Sequence, residues 1–173
     1  MRLSACPDES PRESTRDELR LPSPNELSAW DGLTLPVASF GDESFDFIFF
    51  NGTVMRGEPE HGNLAGTEFI EEIRTAPGYR LFSIDDEYPA MVPRKDEGVV
   101  IEGELYRVPT ELWPRILEAE PPGLVRDLIE LIDGRVLYGI VGSDDLVAGK
   151  GRDISEFGGW RPYLRYLRSR KEI

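Results

Sequence analysis

Apolar residues are thin over roughly the first 40 positions and then arrive in short dense blocks. "FDFIFF" at 45–50 is apolar nearly throughout, the pattern of a central strand buried on both faces. "GTEFIEEIRTAPGYRLFSI" reads as two short strands separated by the Pro77-Gly78 turn. Alternation from Ile101 to Val108 in "VVIEGELYRV" predicts another strand. In "PTELWPRILEAE", Trp113, Ile116 and Leu117 fall on one helical face. There Thr110 can cap the helix, Glu111 suits its positive end, and Pro114 is tolerated in the first turn. "LIELIDGRVLYGIV" places Asp133-Gly134 between two β-rich runs, which predicts a hairpin with a type I′ turn. The tail ends in an amphipathic helix, with Trp160, Leu164 and Leu167 on one face and basic residues near its C-terminus. Strands outnumber helices and no βαβ alternation appears. The expected class is α+β: a small, mixed, curved or barrel-like sheet with one mid-chain and one C-terminal helix.

Composition changes the picture at the N-terminus. Residues 1–40 are rich in Pro, Ser, Glu and Arg, and bury too little apolar surface to offset their ordering entropy. They are expected to be largely disordered, with local docking through Trp30 and Leu33, and the folded domain is placed at 41–173. A net charge of -13 argues against nucleic acid and anionic membrane as partners. No run approaches the length of a membrane span and no signal peptide is evident, so a soluble cytoplasmic protein is expected. One cysteine, Cys6, excludes an internal disulfide. One histidine, His61, excludes multi-histidine metal sites, and neither metal nor cofactor is expected.

Two stretches carry candidate chemistry. After the first strand, "NGTVMRGEP" sets Gly52 and Gly57 where the backbone can approach a ligand or adopt positive φ. Such a turn either closes the strand and does nothing more, or leaves backbone N–H groups aimed at an anion or oxyanion. Glu120 stands where the mid-chain helix ends before Pro121-Pro122. It shares no helix face with Glu118, so one of the pair can be solvated while the other turns inward; both can also be surface carboxylates. An inward Glu120 would titrate high and serve as a general base. Elsewhere, His61 reads as a loop residue and Asp85-Asp86-Glu87 as a solvated turn without calcium-loop spacing. Tyr88-Pro89 either closes over a pocket or packs at its rim, and "GGW" at 158–160 reads as a helix-entry turn.

The order "NGTVMRGEP", "YPAMV", "IEGELY" and "EAE" over residues 45–141 resembles the γ-glutamylcyclotransferase-like superfamily. "RTAPGYRLFSI", "LIDGRVLYGIV" and "FGGWRPYL" are similar to the C-terminal domain of allophanate hydrolases, which has the same fold. In that domain a histidine implicated in the chemistry follows the first strand; by position it falls at Val54, which is no acid, base or donor. Asn51 stands where the cyclotransferases usually carry Tyr, and Val54 where they carry Leu.

The cyclotransferase resemblance implies cyclisation of a γ-glutamyl amine or peptide to 5-oxoproline with release of the amine. It implies Glu120 as general acid–base, with Asn51, Gly52, Thr53, Val54, Met55 and Tyr88 contacting substrate. The allophanate hydrolase resemblance implies instead an enzyme acting on a small N-carboxy compound. Third stands a non-catalytic metabolite-binding or accessory protein, one that assists a partner amidase.

Overall fold

The computed structural model describes residues 44–171. The expectations for residues 1–40, with Trp30 and Leu33, lie outside the described residues.

A five-stranded sheet forms the centre, in the order β2 (Glu68–Arg74), β5 (Glu102–Pro109), β1 (Phe45–Phe50), β7 (Val136–Gly142) and β6 (Leu124–Glu130). β1 runs antiparallel to β5 and parallel to β7, so the sheet is mixed. A second sheet orders β4 (Tyr88–Pro93), β3 (Tyr79–Ile84) and β8 (Gly151–Asp153). The class is α+β as expected, and the strands form two open sheets rather than a closed barrel.

Alternation on β1 explains why its apolar run is continuous. Ile48 and Phe50 pack with Tyr106, Trp113 and Ile116. Phe49, between them, packs with Leu81, Leu105, Trp160 and Tyr163. The strand has a core on each face, so neither face can be polar. α1 (Trp113–Ala119) contributes to the first core, and α3 (Trp160–Lys171) to the second. Close approach fixes Gly103 on β5: a Cβ there would lie 2.3 Å from the Phe49 ring.

Local differences from the sequence reading have physical causes. Thr110 does not cap α1; residues 110–112 form a 3-10 turn and the N-cap position falls on Leu112, without a side-chain hydrogen bond. Pro114 fits the first turn regardless. The β6–β7 hairpin is present, but its turn is not type I′. Gly134 N–H donates to Leu131 O at 2.9 Å and Leu131 N–H to Arg135 O at 2.8 Å. Only Gly134 (φ 86) has positive φ in this turn. A type I turn closed by a left-handed glycine matches this pattern; Asp133 instead accepts from Arg135 N–H at 3.1 Å. The sequence reading also lacked α2 (Asp144–Lys150), a short helix capped by Ser143, whose hydroxyl accepts from Leu146 N–H.

Candidate active site

Where β1 ends, the chain enters a loop pinned at almost every residue. Met55 N–H donates to Gly52 O at 3.2 Å, and Glu60 N–H to Thr53 O at 2.9 Å. The Thr53 hydroxyl donates to Glu60 Oε2 at 2.5 Å. His61 Nδ1 lies 2.9 Å from Val54 O. A carbonyl can only accept, so Nδ1 carries the proton and His61 braces the turn. Arg56 N–H donates to the Glu104 carboxylate at 2.9 Å. Among the described residues, neither carbonyl nor side chain accepts from the amides of Thr53 and Val54. Those two N–H groups are the donors a cradle requires.

Glu104 is the anchor beneath the loop. Its side chain is fully buried, yet it accepts from Arg56 N–H, Arg56 Nε, Arg161 Nη2 at 2.8 Å and the Tyr106 hydroxyl at 2.6 Å. Burial pushes its carboxyl upward, but these donors outweigh burial and hold it below the ordinary range. Burial, and donation to Glu104, push the Tyr106 hydroxyl well above its usual value. The sequence reading assigned no role to Glu104, although "GELY" on a buried strand was a usable signal: a carboxylate there must be paired.

Glu120 ends α1 in extended conformation (φ -72, ψ 140), and its helical neighbour Glu118 stays exposed. The carboxyl enters a narrow cleft also lined by Asn51, Thr53, Val54, Tyr88 and Pro121. No described group donates a hydrogen bond to it. Burial first, and the charge of Glu60 second, raise its pKa from 4.5 to about 7. Asn51 Nδ2 is buried and likewise has no partner among the described residues. Glu120 and the residues that carry these unpaired donors thus line one cleft.

Two expected substrate contacts are placed elsewhere. Gly52 does not line the cleft. It adopts φ 120 and packs beneath Pro89, whose Cγ would lie 2.6 Å from any added Cβ. Met55 is turned into the second core, beside Phe49 and Trp160. The free volume of the cleft is about 20 Å³, close to that of one water molecule. Among the described residues, no lysine or arginine lines it. Among the described residues, no group of three or more His, Cys, Asp or Glu side chains stands ready to hold a metal ion. None of the described helices is long and apolar enough to cross a membrane.

Residues 47–165 match the allophanate hydrolase C-terminal domain family. The chain belongs to that family. This agrees with the resemblance read from "FGGWRPYL". Urea amidolyase of Saccharomyces cerevisiae is 27% identical over 128 residues, which are 69% of this chain but only 7% of the yeast protein. A uropathogenic E. coli-specific protein of known structure is 35% identical, with a TM-score of 0.68, over 70% of this chain and 96% of that one. Kluyveromyces lactis allophanate hydrolase shares the fold at 22% identity and a TM-score of 0.67, over 70% of this chain and 21% of the enzyme. Relatives therefore include both a short chain and a domain of a much longer protein.

Proposed function

We propose that the protein is an acid–base enzyme of γ-glutamyl cyclotransferase type, converting a γ-glutamyl amine or peptide to 5-oxoproline and free amine. The observation that carries this reading is the unpaired Glu120 carboxyl, raised to about 7, in one cleft with Asn51, Thr53 and Val54. The substrate's own α-amine attacks its γ-carbonyl carbon and closes the five-membered ring, so a protein nucleophile is not needed. The α-ammonium first loses one proton to water, which frees its lone pair, and Glu120 takes a second proton from the nitrogen as it attacks. The oxyanion that develops is received by the Thr53 and Val54 amides and by Asn51 Nδ2. When the tetrahedral carbon collapses, the bond to the leaving nitrogen breaks and Glu120 returns the proton to it. A group titrating near 7 takes and gives a proton with similar ease at neutral pH. A cleft with room for one water admits a γ-glutamyl group only after its walls, Tyr88 and Pro121 among them, move apart.

Family membership favours a second reading, an enzyme acting on a small N-carboxy compound. Charge weighs against it. Such a substrate is anionic, while among the described residues the cleft offers Glu120, the nearby Glu60 and no lining cation. A γ-glutamyl compound instead brings an ammonium toward that carboxylate. In either reading the chain also suits work beside a partner amidase.

The experiment is turnover of γ-glutamyl amines and of N-carboxy compounds by the full chain and by Glu120→Gln. The expected outcome is 5-oxoproline release with kcat lowered about 10²–10⁴-fold in the variant. Unchanged release in Glu120→Gln removes the proposed mechanism. Turnover of N-carboxy substrates alone selects the second reading, and ligand binding without any turnover leaves the accessory role.

A further inference from the structure

A larger cavity lies on the other side of the pinned loop. Thr53 and Val54 face the Glu120 cleft, whereas Met55 lines a separate space of about 440 Å³. That volume falls within the range of small-molecule sites. Its apolar lining includes Met55, Ile73 and Trp160, and its polar lining is almost wholly charged.

Sorting those charges by partner shows what is spare. Arg161 is committed to Glu104 at 2.8 Å, and Glu72 to Arg56 at 3.1 Å. Arg74, Arg165 and Glu102 also line the cavity, and none of them makes an ion pair or side-chain hydrogen bond with any described residue. Arg74 and Glu102 are direct cross-strand partners between β2 and β5. Opposite charges in that position ordinarily pair; here they stay apart. Two guanidinium groups and one carboxylate are therefore left over at one concave surface, with an apolar wall beside them.

We propose that this cavity is a binding site for an acidic amino acid, a small molecule with two carboxylates and one ammonium. Arg74 and Arg165 receive the carboxylates and Glu102 receives the ammonium. The ligand's carbon chain rests on Ile73, with Trp160 packed in the wall behind it. Guanidinium groups suit carboxylates because their fork of donors matches two oxygens. Charge complementarity selects the class: the spare groups carry a net single positive charge, and an acidic amino acid carries a net single negative one. The site is separate from the Glu120 cleft and does not depend on the reaction assigned there.

The test follows the Trp160 indole N–H by NMR in the full chain while L-glutamate, glutarate or L-lysine is added. That N–H is buried, has no hydrogen-bond partner among the described residues and belongs to the cavity wall, so a charged ligand bound in the cavity moves its resonance. L-glutamate should shift it saturably, glutarate should bind more weakly because it has no ammonium, and L-lysine should not bind. Arg74→Ala and Arg165→Ala alter exposed side chains and should each weaken glutamate binding about tenfold. The proposal is overturned if glutamate gives no saturable shift. It is equally overturned if the Arg74→Ala/Arg165→Ala double variant binds as the parent does, or if the response is lost in Glu120→Gln and kept in that double variant.

Discussion

Replacing Glu120 with Gln should stabilise the protein, and by more as pH rises. The carboxyl moves from an ordinary 4.5 to about 7 on folding. The folded state therefore holds the proton more tightly than the unfolded state. Below 4.5 both states are protonated and the group contributes nothing to the pH dependence. Between 4.5 and 7 the unfolded chain ionises first, and stability falls as pH rises. Above 7 the folded protein carries the full penalty of the buried charge, about 3 kcal/mol for a rise of that size. Glutamine is a neutral mimic that never acquires the charge. Its advantage over the parent should thus grow by about 2 kcal/mol between pH 5.5 and 8, or about 6 °C in Tm for a chain of this length. Thermal unfolding of both proteins, followed by circular dichroism in buffers matched for ionic strength, reads this directly. An unpartnered amide in the cleft costs the same at every pH, so that cost cancels from the difference. A gap in Tm that stays constant from pH 5.5 to 8 would refute the argument, because it would mean that Glu120 ionises as readily folded as unfolded.

Other expectations concern the frame around the cleft. Glu104→Gln removes the anion beneath Arg161 and should cost about 3 kcal/mol in urea unfolding at pH 7. Because the Glu104 carboxyl is held low in the fold, its stabilisation is complete above 4.5 and fades as pH falls through the folded value, so parent and variant should converge in acid. Gly52→Ala combines φ 120 with a contact 2.6 Å from Pro89 and should lose about 2 kcal/mol, measured the same way. Ser143→Ala removes the cap of α2 and should cost about 1 kcal/mol, with hydrogen exchange faster at Leu146 than elsewhere.

Elements whose own residues determine them could be read from sequence. β1 was legible because an apolar run with no polar alternation has no other stable place, and α3 because Trp160 and the residues that follow repeat at helical spacing. Element type was easier to read than element detail. The Asp133-Gly134 dipeptide marks a hairpin, yet nothing local chooses between a two-residue turn and a longer one in which only the glycine turns left-handed. Seven residues of α2 are too few to show a period, and its signature was confined to Ser143 with two aspartates after it. In the candidate site, Glu120, Asn51, Thr53, Val54 and Tyr88 meet in one cleft, and their motifs are separated by long stretches of chain. That meeting rests on resemblance, since spacing alone does not bring residue 120 to residue 53. What Gly52 and Met55 do was hidden for the same reason: the proline above one and the core beneath the other come from distant strands.

The two carboxylates of this fold show why burial alone does not assign a role. Glu104 is the more deeply buried, with no exposed side-chain surface, and it stays ionised. Glu120 is only partly enclosed, and it is pushed up to about 7. Donors decide between them. Four hydrogen bonds, two of them from guanidinium groups, replace the water that Glu104 lost. Among the described residues, none replaces what Glu120 lost. An acid so well satisfied cannot exchange its proton near neutrality, and its contribution is to hold Arg56 and Arg161 in place. An acid left unsatisfied is costly to keep charged, and for that reason exchanges its proton near neutrality, which is what the proposed reaction asks of Glu120. The fixed carboxylate bonds the amide of Arg56, three residues from Thr53, while Thr53 lines the cleft that holds the other. Through that loop Glu104 sets where the free donors stand. Glu104→Gln should therefore disturb substrate positioning while leaving the Glu120 pKa nearly unmoved. A pH–rate profile whose neutral limb shifted in Glu104→Gln would contradict this division of labour.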